Sequence, residues 1–496
     1  PPVVYFDYII IGGGTAGCPL AATLSQNATV LVLERGGSPY RDFNITNVGN
    51  FGSTISDTSP HSASQIFISE DGVYNTRARV LGGGSAINAG FYSHAEPEFV
   101  RDAGWDEDLV RRSYDWVESK VAFEPQVKQW QSAVRDALVE IGVLPYNGFT
   151  YNHVDGTKIG GTIFDDQGHR HTAADLLEYA NPLTVKVYLH ATVSRILFTN
   201  KAGRQWPKPR AYGVVFEDAL GIRKRAFLRP NPQNEVILTA GALGSPQLMM
   251  LSGIGPALHL KSHGIHVVLD QPNVGQGMAD NPMNLLYVPS PVPVEISLIQ
   301  VVGIPSNQNT YIETASGLSF AYSWAQGFAL HAYAANTSLK GGVILEKVRG
   351  PLSSGDLKLR SRSPRDNPAV TFNYFKDPQD LRGCVEGMRS IINLINAPSF
   401  ARLRYAHLPV QALVDLMLNL PVNLRPRHVS SSISLEQFCI DTVMTIWHYH
   451  GGCQVGKVVD QDYRVVGVDG LRVIDGSTFL KSPGTNPQAT VMMLGR

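Results

Sequence analysis

Cysteine is scarce in this sequence. The 496 residues hold four, Cys18, Cys384, Cys439 and Cys453, and none forms a CxxC pair. Zinc-ribbon and thioredoxin-like readings therefore have no support. Net charge is lacking too: Lys+Arg and Asp+Glu stand at 42 each, so there is no net electrostatic pull toward nucleic acid or an acidic membrane surface. No run of about 18 apolar residues occurs, so no membrane span is expected. No repeat or low-complexity tract stands out. What remains is an ordinary globular composition, 43% hydrophobic and 17% charged. At roughly 100–200 residues per domain, the length suggests two or three domains.

The stretch "FDYIIIGGGTAGCPLAATLSQNATVLVLERGG" carries the first clear signal. Ile9, Ile10 and Ile11 read as a buried parallel strand, residues 18–25 as a helix, and "TVLVLE" as a second buried strand. Between them Gly12-Gly13-Gly14-Thr15-Ala16-Gly17 fits GxGxxG. In that motif Gly12 permits the tight turn, Gly14 lets a pyrophosphate approach the backbone, and Gly17 lets the helix pack on the strand. The phosphates would meet free N–H groups at the helix N-terminus. Glu34 ends the second strand, where it would accept hydrogen bonds from ribose hydroxyls. An acid there argues against the 2′-phosphate of NADP. The motif alone does not separate FAD from NAD.

Three further segments have the same grammar. "RARVLGGGSAINAGFYSHA" places Gly82-Gly83-Gly84-Ser85 in a second loop that permits close backbone approach. "EVILTAGALGSPQLMMLSGIGP" reads as a strand, then Ala240-Gly241-Ala242, then a helix beginning near Ser245-Pro246. "LRVIDGSTFLKSPGTNPQATVMMLGR" reads as a strand, Asp475-Gly476, a loop, and a helix opening at Asn486-Pro487.

"MTIWHYHGGCQVGK" gathers His448, His450 and Cys453. In an extended stretch the two histidines share a face and Cys453 falls on the other. Zinc takes three or four ligands, and no other His/Cys cluster supplies the rest, so no metal is expected. An imidazole titrates near neutral pH and suits proton transfer. A hydrogen-bonded structural histidine is the plainer alternative, above all for His450. Asn486, directly before Pro487, is likewise an ideal helix N-cap.

In combination, GGGTAG with Glu34, RVLGGGSAINAG, GALGSPQLMMLSGIGP, NVGQGMADNP and WHYHGG…DGS…TNPQAT resemble the glucose-methanol-choline (GMC) family of FAD oxidoreductases. The motifs run in order from residue 8 to the last. "WHYHGGC" and "GTKIGGTIFD" look most like the plant branch, which holds almond-type mandelonitrile lyases and Hothead-like proteins. The resemblance implies an α/β fold with an α+β second domain. A discontinuous Rossmann-like FAD-binding domain would span 1–99, 184–284 and 448–496. A substrate domain, an antiparallel sheet with helices, would span 100–183 and 285–447, with 356–395 supplying strands and a helix.

It also implies a function: oxidation of a primary, aromatic or long-chain alcohol to the aldehyde, with hydride transfer to flavin. His448 would be the general base and Asn486 its partner, donating to the alcohol oxygen. The FAD contacts would come from Gly12, Gly14, Thr15, Ala16, Gly17, Glu34 and Arg35; from Val80, Gly82, Gly83, Ser85, Asn88, Ala89 and Gly90; and from Val193, Ala240, Gly241, Asp475, Gly476, Asn486, Pro487 and Gln488. Some members attach FAD through a histidine where this chain has Ile87, so non-covalent FAD is expected. The alternative is a hydroxynitrile lyase cleaving an aromatic cyanohydrin. Against it, this chain has Asn486 where those lyases have a histidine and Ile446 where they have a tyrosine. In the plant branch, cysteines matching Cys384 and Cys439 form a disulfide. With sequons at Asn27, Asn44 and Asn336, the expectation is a secreted or vacuolar glycoprotein, freed of a signal peptide and monomeric. Its partners would be small alcohol or cyanohydrin substrates. The segment around 290–335 carries no readable pattern.

Overall fold

Runs that are apolar on both faces go to the middle of a sheet. The computed structural model, which describes residues 4–199, 208–317 and 340–496, bears this out for the N-terminal strands. Tyr8–Ile11 and Val30–Leu33 are buried almost throughout and lie parallel, Ile9 opposite Leu31. Val185–Tyr188 adds outside Val30–Leu33, Glu235–Leu238 outside Tyr8–Ile11, and Leu471–Val473 beyond that. Every pairing is parallel, so Gly12, Glu34, Thr239 and Ile474 all leave this sheet at its carboxyl end. That is where open α/β sheets bind their ligands. Val4–Phe6 joins a neighbouring four-stranded sheet with Arg223–Leu228, Ala211–Glu217 and Thr192–Phe198.

A seven-stranded sheet forms the second layer system. Its order is Met444–Thr445, Pro282–Pro289, Gly341–Val348, Thr310–Ser316, Val301–Ile304, Gly156–Ile159, Tyr146–Phe149. All pairs are antiparallel except the last. The expected combination of a parallel α/β sheet with a helix-flanked antiparallel sheet is therefore present. The segment 356–395 does not build the larger sheet, however. Its short strands form a separate three-stranded sheet instead, Gly355–Lys358 pairing with Gln276–Met278 on one side and Ala369–Val370 on the other. Its helix, Pro378–Asn396, starts at the Asp377 cap and packs on Gly341–Val348. The strands that do build the sheet include Val301–Ile304 and Thr310–Ser316, buried at every position and so without a readable alternation.

That helix also carries Cys384, joined in a disulfide to Cys439 of the helix Leu435–Thr442. Cys18 and Cys453 are free and buried. Asn27 and Asn44 are exposed, while Asn336 lies outside the described residues. No helix among the described residues is long and apolar enough to cross a membrane.

Candidate active site

Two glycine loops meet at the carboxyl end of the parallel sheet. Gly12 turns with φ +104°, and a Cβ there would lie 2.7 Å from the Thr239 carbonyl oxygen. A Cβ on Gly17 would lie 2.0 Å from the Gly12 carbonyl oxygen, so the helix Gly17–Leu24 packs directly on the turn. The second loop seats against the first. Gly82 N–H donates to Gly13 O at 2.7 Å, and a Cβ on Gly83 would come within 2.7 Å of Gly14 Cα. The loop is held from behind by Arg170, whose guanidinium donates to the carbonyls of Ile45, Ser85 and Asn88.

A cavity of about 320 Å³ opens over these loops. Of the residues expected to contact FAD, all but Gly17 and Gly82 line it; those two set the loop packing. The lining suits a dinucleotide. Glu34 is 5% exposed at the end of its strand, one carboxylate oxygen accepting from Gly13 N–H at 2.9 Å and the other from Gly36 N–H at 2.7 Å. Each oxygen keeps a lone pair for a ribose hydroxyl. Arg77, also on the wall, donates to Gln247 while Nε and Nη2 find no protein acceptor. A buried cation with free donors suits an anionic ligand.

The C-terminal segments close the cavity. Asp475 Oδ2 accepts from Gly241 N–H at 3.0 Å and from Ser245 Oγ at 2.6 Å. This acid, 234 residues away in sequence, anchors the start of the helix Gly241–Leu251. The helix thus begins before Ser245-Pro246, not at it, and Pro246 lies inside. Asn88 Nδ2 donates to Gln488 Oε1 at 2.8 Å, tying the second glycine loop to the C-terminal helix.

His448 and Asn486 stand on the wall of this same cavity. The backbone reaches His448 through a strained residue, Trp447 at φ +60°. Asp280 secures the approach: its carboxylate accepts from His448 N–H at 3.2 Å, from Thr445 Oγ at 2.7 Å, and from the Tyr374 hydroxyl. Burial pushes the Asp280 carboxyl up to about 7, against those three hydrogen bonds. His448 Nδ1 is buried without a partner. Burial, then the Lys347 ammonium, hold its imidazole well below the usual value. His450 Nδ1 bonds the His448 carbonyl at 2.9 Å, a structural contact, and burial lowers this imidazole to about 4. Asn486 is 7% exposed and caps nothing: the last helix, Gln488–Gly495, has Pro487 at its N-cap position and no side-chain cap. Its Oδ1 is buried without a partner.

Sequence reasoning missed four residues that support the site. Asp280 sits in a quoted motif, NVGQGMADNP, that had no role assigned. Arg170 follows a quoted segment as part of "GHRH". Glu313 and Lys347 form an ion pair at 2.6 Å, both 0% exposed. Their only sequence signal is a charge inside the apolar strands "TYIETAS" and "GGVILEKV".

Comparison with known proteins agrees with this geometry. Residues 6–283 match the N-terminal GMC oxidoreductase family model and residues 351–495 the C-terminal one. The chain is 50% identical to Protein HOTHEAD of Arabidopsis thaliana, over 99% of this chain and 87% of that protein. It is 49% identical to an (R)-mandelonitrile lyase-like protein of the same plant, over 99% and 88%. It is 44% identical to sinalpyl alcohol oxidase Nec3 of Nesocodon mauritianus, over 99% and 87%. In fold it is similar to formate oxidase, with a TM-score of 0.81 at 19% identity, over 100% of this chain and 97% of that one. With both family models matched and half its residues shared with a near full-length relative, this chain belongs to the GMC oxidoreductase family.

Proposed function

We propose that this protein oxidises a primary alcohol, aromatic or long-chain, to the aldehyde. One observation carries the reading: His448 and an uncapped Asn486 share a cavity wall with a cradle that fits FAD. Bound FAD supplies the hydride acceptor. The neutral His448 imidazole takes the hydroxyl proton, and an Asn486 N–H donates to the alcohol oxygen as its charge grows. Phe91, Ile299, Leu345 and Ile446 give the wall an apolar stretch that suits a hydrocarbon substituent. The similarity to a protein named an alcohol oxidase supports the same chemistry.

A lyase would need groups that Asn486 and Ile446 do not provide. An anaerobic panel of alcohols tests the choice. Flavin bleaching supports oxidation; no bleaching, with HCN released from mandelonitrile, would give the site to cyanohydrin cleavage.

Further parts of the reading have their own support. Ile87 lines the cavity and bears no nucleophile, so FAD is held non-covalently. Acid precipitation then leaves the yellow colour in solution. Exposed Asn27 and Asn44, with the Cys384–Cys439 bridge, support a secreted or vacuolar glycoprotein. Endoglycosidase treatment should raise its gel mobility. We assign residues 1–99, 184–284 and 448–496 to an FAD-binding domain, 100–183 and 285–447 to a substrate domain, and the whole to a monomer.

A further inference from the structure

The second glycine loop rests on a buried positive charge. Arg170 is 6% exposed. Its Nε donates to the Ile45 carbonyl at 2.9 Å. Its Nη1 donates to the Ser85 carbonyl at 3.1 Å, the Asn88 carbonyl at 2.7 Å and Asn88 Oδ1 at 3.1 Å. The centre of the Phe164 ring lies 4.5 Å from the guanidinium carbon. Every one of these partners is neutral. Nη2 is buried without a partner, and among the described residues no carboxylate pairs with the guanidinium. Burial opposes the charge, and no neighbouring charge offsets that.

An isolated buried charge is costly, and folds normally pair it. This fold does so at Lys347, which Glu313 neutralises at 2.6 Å. Lys158, buried among neutral oxygens, can shed its proton instead, since burial brings it down to about 7. A guanidinium cannot. Holding the loop does not call for a charge either. The same segment already grips it through a neutral bond, Ala173 N–H to Ser85 Oγ at 2.8 Å.

The position of the charge supplies a reason. Ser85 and Asn88, whose backbones Arg170 holds, line the cavity. Their loop seats on the first glycine turn, where a Cβ on Gly83 would come within 2.7 Å of Gly14 Cα. In a GxGxxG turn, the glycine at the Gly14 position is where a pyrophosphate approaches the backbone. The cation thus lies behind the loop and the anion's place lies in front of it, where burial leaves charges poorly screened.

We propose that Arg170 is the counter-charge of the FAD pyrophosphate, acting through the loop it holds, so that cofactor binding and the burial of this cation stabilise each other. This rests on FAD as the cofactor and is indifferent to the choice between alcohol oxidation and cyanohydrin cleavage.

The test compares Arg170→Gln with Arg170→Lys in the full-length holoenzyme. Both lose the planar fork, and only Lys keeps the charge. Two quantities are read: the FAD dissociation constant, from flavin fluorescence released on dilution, and the melting temperature with saturating FAD and after FAD is stripped. The Lys variant should bind FAD within about tenfold of wild type, and the Gln variant about tenfold to a hundredfold more weakly than Lys. With FAD, Lys should melt above Gln. Without FAD the order should reverse, because the buried charge is then unanswered. A clamp that only shapes the loop would weaken FAD equally in both variants and keep one melting order in both states. Either of those results, or wild-type affinity in the Gln variant, would overturn the proposal. If the Gln variant does not fold, Lys decides alone: affinity within about tenfold of wild type supports the charge, and a larger loss overturns it. A wild-type protein that binds no FAD would remove the cofactor reading and this proposal together. FAD binding in wild type with equal losses in the variants would remove the proposal alone.

Discussion

At the scale of single residues, the site depends on groups kept in a chosen protonation state by burial. His448 stays neutral because charging it would be costly where it sits and beside Lys347. Its usual value is 6.5, so kcat/KM should stay flat as pH falls through that point, with the acid limb lying lower. A profile falling with a midpoint near 6.5 would show a solvated imidazole. Replacing His448 with Ala should cut kcat about 10²- to 10⁴-fold while FAD stays bound. Asp280 works in the other direction. Its folded value is about 7 against 3.8 for an ordinary carboxyl, so the folded chain holds a proton that the unfolded chain has lost. That contribution to stability is present at low pH and is lost as pH rises through the folded value. The thermal-stability advantage of wild type over Asp280→Asn should therefore shrink as pH goes from 4 to 7. An advantage that grew over that window would contradict the assignment. His448 was legible in the sequence because its surroundings form a motif. Glu313 was not, because its partner Lys347 lies 34 residues away on a neighbouring strand.

At the scale of elements, what could be read was what is local. The turn from Tyr8–Ile11 into Gly17–Leu24 is encoded in ten consecutive residues, and each glycine has a physical reason. At Gly17 the obstacle to a side chain is backbone, the Gly12 carbonyl oxygen, and backbone cannot rotate away. Gly17→Ala should therefore purify with much less flavin, measured as the ratio of flavin to protein absorbance. A wild-type ratio would mean the helix can shift at little cost. Boundaries set by distant partners escaped. The helix at Gly241 begins early because Asp475 receives its first N–H. Asn486 looks like a cap in sequence, yet the helix starts two residues later, at Gln488, without it. The bridge from Cys384 to Cys439 ties the helix Pro378–Asn396 to Leu435–Thr442 across 55 residues. Changing both cysteines to Ser should destabilise the protein by about 2–5 kcal/mol, read as a lowered denaturation midpoint.

At the scale of the whole molecule, two sheets of different logic enclose one cavity. The parallel sheet offers turns, glycines and an acid at its carboxyl end, a pattern visible in sequence because spacing along the chain equals spacing in space. The antiparallel sheet is drawn from stretches between Tyr146 and Thr445, and several of its strands are buried on both faces. Neither period nor motif marks them, so the substrate side stayed unreadable while the cofactor side did not. The same division explains why family and chemistry could be inferred but the alcohol could not. The central claim is that His448 takes the hydroxyl proton while the carbinol hydride leaves. Anaerobic mixing of the holoenzyme with a benzylic alcohol, unlabelled and then deuterated at the carbinol carbon, tests it most directly. We predict flavin bleaching in wild type, slower by a primary isotope effect with the deuterated alcohol, and nearly abolished in His448→Ala. Bleaching at the wild-type rate in His448→Ala, or no bleaching in wild type, would contradict it.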